Sequence, residues 1–434
     1  MELKPLQLLV LTSAVFIFTF GFGIIIPIIP YYTRSVNATA FDLGLLLATF
    51  SFLQFFCGPI WGKISDHIGR KPVIIFSLLG FTLAFAMVGL SSQLWMIFIA
   101  VSIGGFFSAG IFPAVLAFVA DITQPSERAK LMGLMGAVSG LGLILGPFAS
   151  SLLAVYGLSA PFFAAALISF ITMIGCMVLI PESITYTQIV KIRDAVKPLS
   201  MLNMIIETFR HMFTALKTGL GVFLMAMLVI SFAISGFEGT FTYFLMDKIG
   251  LSSVTSFVKV FDSGIHLTGP EAMGIVFAMM GAVSVICQGL IVAKAIEMFG
   301  EEKVIIFGLL IASVGMILLL TSTDLGTALI YICIISVGSG LVFPCLNTVV
   351  SRRTDERNQG VAMGILSSYG SFGRVLGPIV GGYVYVINIA FPYALSAIVM
   401  ALSAAGLFAY MLMGLWKKKN SEALDQEILV NVNN

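Results

Sequence analysis

Two charged residues stand inside stretches that are otherwise apolar. Glu238 lies in Ser235-Gly236-Phe237-Glu238-Gly239-Thr240, and Arg374 lies in Gly373-Arg374-Val375. The runs around them have the length of a bilayer-spanning helix. An ionised group at that depth costs several kcal/mol, roughly, so it faces a cavity or a partner. A carboxylate so placed can carry a proton or bind an organic cation, and protons and ligand then compete for it. A guanidinium can hold an anionic group of a ligand or set the behaviour of the acid. The bland alternative is a structural Glu238–Arg374 ion pair, in which neither group is free to act.

A third candidate is the stretch from Gly62 to Ile75, GKISDHIGRKPVII, with two glycines, an acid and three cations between two apolar runs. Asp66 can accept hydrogen bonds and favours the positive end of a helix. Arg70 and Lys71 can pair with Asp121, and Gly62 and Gly69 permit close approach. Such a turn is either a latch between two conformations or a basic segment that fixes topology.

The elements that must position these residues follow from composition. The chain has 434 residues, 59% hydrophobic and 10% charged, with mean hydropathy +1.06. A soluble domain of this size needs far more charge on its surface. Apolar runs recur over 6–32, 41–61, 72–91, 94–120, 130–155, 160–181, 219–246, 272–293, 303–322, 326–350, 361–386 and 391–416. The reading is an all-α integral membrane protein with twelve transmembrane helices. The first run is too long for a signal peptide and is read as a retained helix.

Cations choose the orientation. Lys4, Lys63, Arg70, Lys71, Arg128 and Lys130 fall at the N terminus and in alternate loops, as do the clusters around 191–217 and 352–357 and the tail 417–419. The opposite loops hold only Arg34, Lys248 and Lys259. Both termini are therefore expected to be cytoplasmic in a multi-pass protein of the cell membrane. A formal charge of +2 gives no reason to expect nucleic acid as a partner. The five cysteines sit in apolar runs without a CxxC, and the three histidines form no metal-spaced cluster. No Walker A sequence and no nucleophile–base constellation is present, so neither ATP coupling nor an enzyme is expected, and no cofactor or metal.

The chain repeats itself at an offset of 231 residues. Gly58, Lys63 and Gly69 meet Gly289, Lys294 and Gly300; Leu145-Gly146-Pro147 meets Leu376-Gly377-Pro378. The expected organisation is two parallel six-helix bundles, 1–182 and 218–416, joined by a cytoplasmic linker at 183–217 and followed by a tail at 417–434. The linker mixes cations with Leu, Met, Ile and Phe, which fits an amphipathic segment on the inner leaflet. Parallel repeats suggest a substrate site between bundles that rock to expose it on each side in turn.

Gly62-x-x-x-Asp66-x-x-Gly69-Arg70-Lys71 resembles the loop signature of the major facilitator superfamily, with a weaker copy from Gly289 to Lys303. Phe22-Gly23-Ile24-Ile25-Ile26-Pro27 and Leu141-Gly142-Leu143-Ile144-Leu145-Gly146-Pro147 resemble the first and fifth helices of its twelve-helix drug–proton antiporters, the multidrug and tetracycline exporters. The resemblance implies export of small amphipathic molecules by alternating access, with the proton as coupling ion, by a monomer in the lipid bilayer. It implies that Asp66 docks near the start of the eleventh helix in the outward-facing state. It also implies that Gly142, Gly146, Pro147, Gly377 and Pro378 serve as packing and hinge residues. Two departures stand out. Ser150-Ser151 replaces a glycine pair that the second half keeps as Gly381-Gly382, and Val101 stands where the group carries an arginine associated with proton handling. Phe232, Phe237, Phe241 and Tyr243 of the seventh helix, with Phe343 and Asn347 of the tenth, are expected to line the cavity. The alternatives are a proton-coupled transporter of an anionic metabolite or nutrient centred on Arg374, and a sensor that binds without transport.

Overall fold

In hydrocarbon every backbone N–H and C=O must be satisfied within the chain, so long apolar runs become helices. The computed structural model describes residues 5–123, 125–183, 210, 212–251, 256–261, 263–354 and 359–432. The first six spans are Pro5–Ser35, Ala40–Ile68, Arg70–Leu90, Leu94–Ser108 continued by Ile111–Ile122, Pro125–Ala154 and Ala160–Leu179. The second six are Gly221–Ile249, Gly269–Ile286 continued by Val292–Phe299, Glu301–Leu319, Leu325–Arg352, Gln359–Ile387 and Phe391–Val432. Among the described residues eleven spans are long and apolar enough to cross a membrane. The helix missing from that set is the eleventh, Gln359–Ile387, which has 29 residues, and Arg374 and its many glycines dilute its hydropathy. Most of the segment expected to form the linker, 184–209, lies outside the described residues.

Local sequence explains the ends and the breaks. Thr39 and Asp42 form a reciprocal capping box at the start of the second span, and Thr268 and Glu271 do the same for the eighth. Thr39, which ends the sequon-like sequence Asn37-Ala38-Thr39, thereby has a structural role as the helix cap. The fourth span breaks at Ala109-Gly110, just before Pro113, which has no N–H for the helical ladder. The eighth span contains a π-turn at Cys287–Ile291. Between the seventh and eighth spans an antiparallel hairpin, β1 (Ser256–Val260) and β2 (Ser263–Leu267), interrupts an otherwise helical chain.

An even number of spans puts both termini on one face, here called the terminal face; the other is the distal face. Within each bundle the repeat is visible in packing. Gly142 and Gly146 of the fifth span press on Phe16, Thr19 and Phe20 of the first, and Gly373 and Gly377 of the eleventh press on Leu228, Phe232 and Ser235 of the seventh. Between bundles the close contacts lie in the distal half. Gly44 sits against the carbonyl of Pro378, Gly382 against Ala40 and Phe41, and Gly274 against Ser151 and the Pro147 carbonyl. The serine pair is thereby accommodated: Ser150 donates to Ile24 O at 3.0 Å, and the small residue that Ser151 lacks is supplied across the seam by Gly274.

Candidate functional site

The bundles are tied together at the distal face. Arg34, at the end of the first span, donates to Asp247, at the end of the seventh, at 2.7 Å. Tyr385 of the eleventh span donates to the other oxygen of Asp247 at 2.8 Å. Tyr243 hydrogen-bonds Thr33 and donates to Ala38 O, both at 3.2 Å. These bonds close the distal end of the interface. Toward the terminal face the helices are looser: added Cβ atoms on Gly62, Gly133, Gly136, Gly140, Gly289 and Gly364 would meet no atom within 4 Å. Gly62 thus faces open space in this conformation, and Gly69 alone of the two turn glycines makes a close contact.

Glu238 and Arg374 sit on the seventh and eleventh spans, which pack directly against one another. Glu238 is half-buried and Arg374 exposed, so both border open space. They are close enough to feel one another's charge, yet among the described residues no ion pair within 4.0 Å joins them. The Arg374 guanidinium reaches only the Ser371 hydroxyl, at 3.4 Å. The arrangement leaves an acidic and a basic side chain on adjoining helices without a direct bond between them.

The aromatic residues expected around them divide. Phe237 and Phe241 are fully buried, stacked at 4.6 Å and met edge-on by Tyr393 and Phe277, so they belong to the packed core of the second bundle. Tyr243 is buried in the distal seam. Phe232 and Phe343 are half-buried and Asn347 is exposed, its amide donating to Phe343 O at 2.9 Å. The reason is helical phase. Residues 237, 241 and 244 form one row aimed at the twelfth and eighth spans, and Glu238 starts the next.

The charged turn is a network. Arg70 donates to Asp66 at 2.5 Å, to Asp121 at 3.1 Å and to the Ser65 hydroxyl at 3.2 Å. Lys71 contributes its backbone: its N–H and that of Arg70 donate to the carboxylate of Glu182, at 3.2 and 2.8 Å. Gly69 has φ of +102°, and a Cβ there would stand 2.4 Å from Glu182 Oε2. The backbone conformation therefore favours glycine, and an added Cβ would also push the Glu182 carboxylate away from the N–H groups it accepts from. Ser183 closes the ring, donating to Asp121 at 3.0 Å. Sequence reading missed Glu182, Arg34 and Asp247. An acid after Pro181 at the end of a span, in a chain whose third span begins with two cations, is the signal that could have found the first.

Paired repeats, a seam closed at one end and two unpaired charges beside it define a membrane transporter of the alternating-access kind. The model of the Major Facilitator Superfamily matches residues 11–269 and 263–427, and the chain belongs to that superfamily. It is 28% identical over 418 residues to Multidrug resistance protein 2 of Bacillus subtilis, covering 96% of each chain. It is 28% identical to the class C Tetracycline resistance protein of Escherichia coli, covering 95% of this chain and 98% of that one. A bacterial homolog of the human lysosomal transporter Spinster, solved in an inward-facing and occupied conformation, shares the fold with TM-score 0.75 at 15% identity, over 94% of this chain and 98% of that one.

Proposed function

We propose that this protein is a secondary-active exporter of amphipathic drugs, driven by inward proton movement, with Glu238 as the carboxylate that protons and substrate share. The observation that carries the reading is the acid–base pair at membrane depth that is close but not bonded. A structural ion pair would satisfy both charges; here each borders open space. Kinship with multidrug and tetracycline resistance proteins supports the substrate class.

With both termini in the cytoplasm, as the cation distribution favours, the looser end of the bundles faces the cytoplasm. A substrate then enters from inside or from the inner leaflet and meets ionised Glu238. After the bundles rock, an external proton takes the carboxylate and the substrate leaves. The sign is fixed by charge: only the ionised form holds a cation, so cation binding weakens as pH falls. The proposed working unit is one polypeptide in the bilayer, with bundles over 1–182 and 218–416. Transport proceeds without chemical conversion of the substrate.

Everted vesicles holding an imposed pH gradient test this. Cationic or zwitterionic drugs should release protons, and Glu238→Gln should abolish that release. Unchanged release in Glu238→Gln removes Glu238 from the mechanism. A second reading rests on Arg374, the more exposed of the two charges: transport of an anionic metabolite. Flux confined to anions and lost in Arg374→Ala selects it, and binding without flux in any direction selects a sensor.

A further inference from the structure

Between the ninth and twelfth spans of the second bundle runs a groove of about 470 Å³. Ala401, Ala404 and Ala405 of the twelfth span line it, with Phe307 of the ninth and Phe408 of the twelfth. Ala404 is buried at its floor, whereas both phenylalanines are about half exposed. The groove therefore opens outward, and at this depth what lies outside is lipid. From Met411 to Ala401 it follows about 15 Å of helix, roughly half the hydrocarbon core. That is the depth of one leaflet, on the side of the terminal face, where the ninth span begins. Lys303, in the first turn of that span, is the one polar residue in its wall.

Glu301 and Glu302, the neighbours of Lys303 in sequence, are engaged by Arg352 and Arg353. Among the described residues no acid pairs with Lys303, and its side chain is exposed. Shortly beyond Met411 the sequence of the twelfth span continues as Trp416-Lys417-Lys418-Lys419. Cations at the edge of a span draw anionic headgroups to it. The first bundle differs at each of these places. At the offset of 231, Phe170, Met173 and Ile174 stand for Ala401, Ala404 and Ala405, Pro72 stands for Lys303, and Tyr186-Thr187-Gln188 stands for the three lysines. Neither the hollow nor the cations are needed to build a bundle. A row of alanines by itself would suit a second helix. The exposed phenylalanines beside it hold a second helix off and leave a slot for a slimmer apolar chain.

We propose that this groove is a binding site for one anionic phospholipid of the terminal-face leaflet, with an acyl chain along the alanines and the phosphate on Lys303 Nζ. The long apolar stem of the lysine lets its ammonium reach the headgroup level while the rest of the side chain stays against the groove. Both walls belong to one bundle, so the site keeps its shape when the bundles rock. It is independent of Glu238 and of what is transported.

The test is native mass spectrometry of the purified, delipidated full-length protein in detergent. It is titrated with dioleoylphosphatidylglycerol or dioleoylphosphatidylcholine, whose chains are identical. The first lipid to bind should favour phosphatidylglycerol by about 5-fold, the scale of one lysine at an anionic headgroup. Lys303→Gln should bring that ratio to less than about 2-fold and leave phosphatidylcholine binding unchanged. Ala401→Phe with Ala405→Ile installs the residues that the first bundle carries and should remove the first binding step for both lipids. Lys303 and Ala405 are exposed, so Lys303→Gln and Ala405→Phe alone decide if the double variant does not fold. Equal first-step affinities in the wild type, or a preference that survives Lys303→Gln, overturns the anionic site. A first step intact in the groove-filling variants overturns the groove as the place where the lipid lies. A wild-type dimer that the groove-filling variants dissolve assigns the groove to a second copy of the chain. Displacement of the lipid by glycerol 3-phosphate at equal concentration reduces the site to a phosphate contact without a chain, which also overturns it.

Discussion

The turns after the second and eighth spans occupy equivalent places in the two bundles, and their ion pairs have opposite sign. Arg70 bonds Asp121 in the first bundle; 231 residues on, Glu301 bonds Arg352 in the second. Glu302 and Arg353 add a second bridge there, with the Arg353 guanidinium 4.8 Å from the Phe223 ring. What the repeat keeps is a bridge from the start of one helix to the end of the next, and the polarity is free. The helix dipole distinguishes the two versions. Acids at a helix N terminus and cations at a C terminus are favoured. Glu301 and Glu302 open the ninth span and Arg352 closes the tenth, in keeping with that rule. In the first bundle Arg70 and Lys71 open the third span, against it. Glu182 resolves the conflict by setting a carboxylate on the N–H groups that the two cations leave bare. The first turn is thus held by a third residue from beyond the sixth span, where the second relies on its own helix ends.

The largest effect that can separate the two turns is loss of Arg70. Its side chain is 10% exposed and holds two acids, Asp66 and Asp121. Arg70→Ala leaves those carboxylates facing each other without a cation. The expected cost is about 2–3 kcal/mol, less than for a fully buried pair because both acids retain contact with water. The equivalent removal, Glu301→Ala, strands Arg352, whose side chain is 69% exposed, and should cost under about 1 kcal/mol. Thermal unfolding in detergent measures both. Equal losses would show that the two turns are energetically interchangeable.

Much of this architecture is legible in the sequence because lipid leaves the backbone few options, and because glycine and proline recur in one register. The hairpin was also visible in principle. Phe257-Val258-Lys259-Val260 and Gly264-Ile265-His266-Leu267 are two apolar-rich runs separated by three residues, though the segment reads simply as a long loop beside so many helices. The faces of the seventh span were not legible. In a bilayer the lipid side of a helix is as apolar as the core side, so Phe237 and Phe241 carry no mark of which way they turn. Glu182 escaped for another reason. It lies 112 residues from Arg70, and only the packed bundle brings a residue after the sixth span onto the start of the third.

A smaller and more discriminating effect tests the dipole argument through Glu182. In the wild type, Glu182→Gln keeps one acceptor for the Arg70 and Lys71 N–H groups but loses the charge, which should cost about 1 kcal/mol. The same substitution should change sign in a swapped background, Arg70→Glu with Asp121→Arg. There the third span opens with an acid, as the ninth does, and the Glu182 carboxylate faces a like charge across the turn. Removing it should then stabilise the protein by a few tenths of a kcal/mol, about the scale of one exposed charge interaction. The thermodynamic cycle over these four proteins reads the coupling between Glu182 and the polarity of the turn directly. A loss of the same size in both backgrounds would mean that Glu182 serves only as a hydrogen-bond acceptor for the Arg70 and Lys71 N–H groups, and that the inverted sign of the first turn has no electrostatic partner.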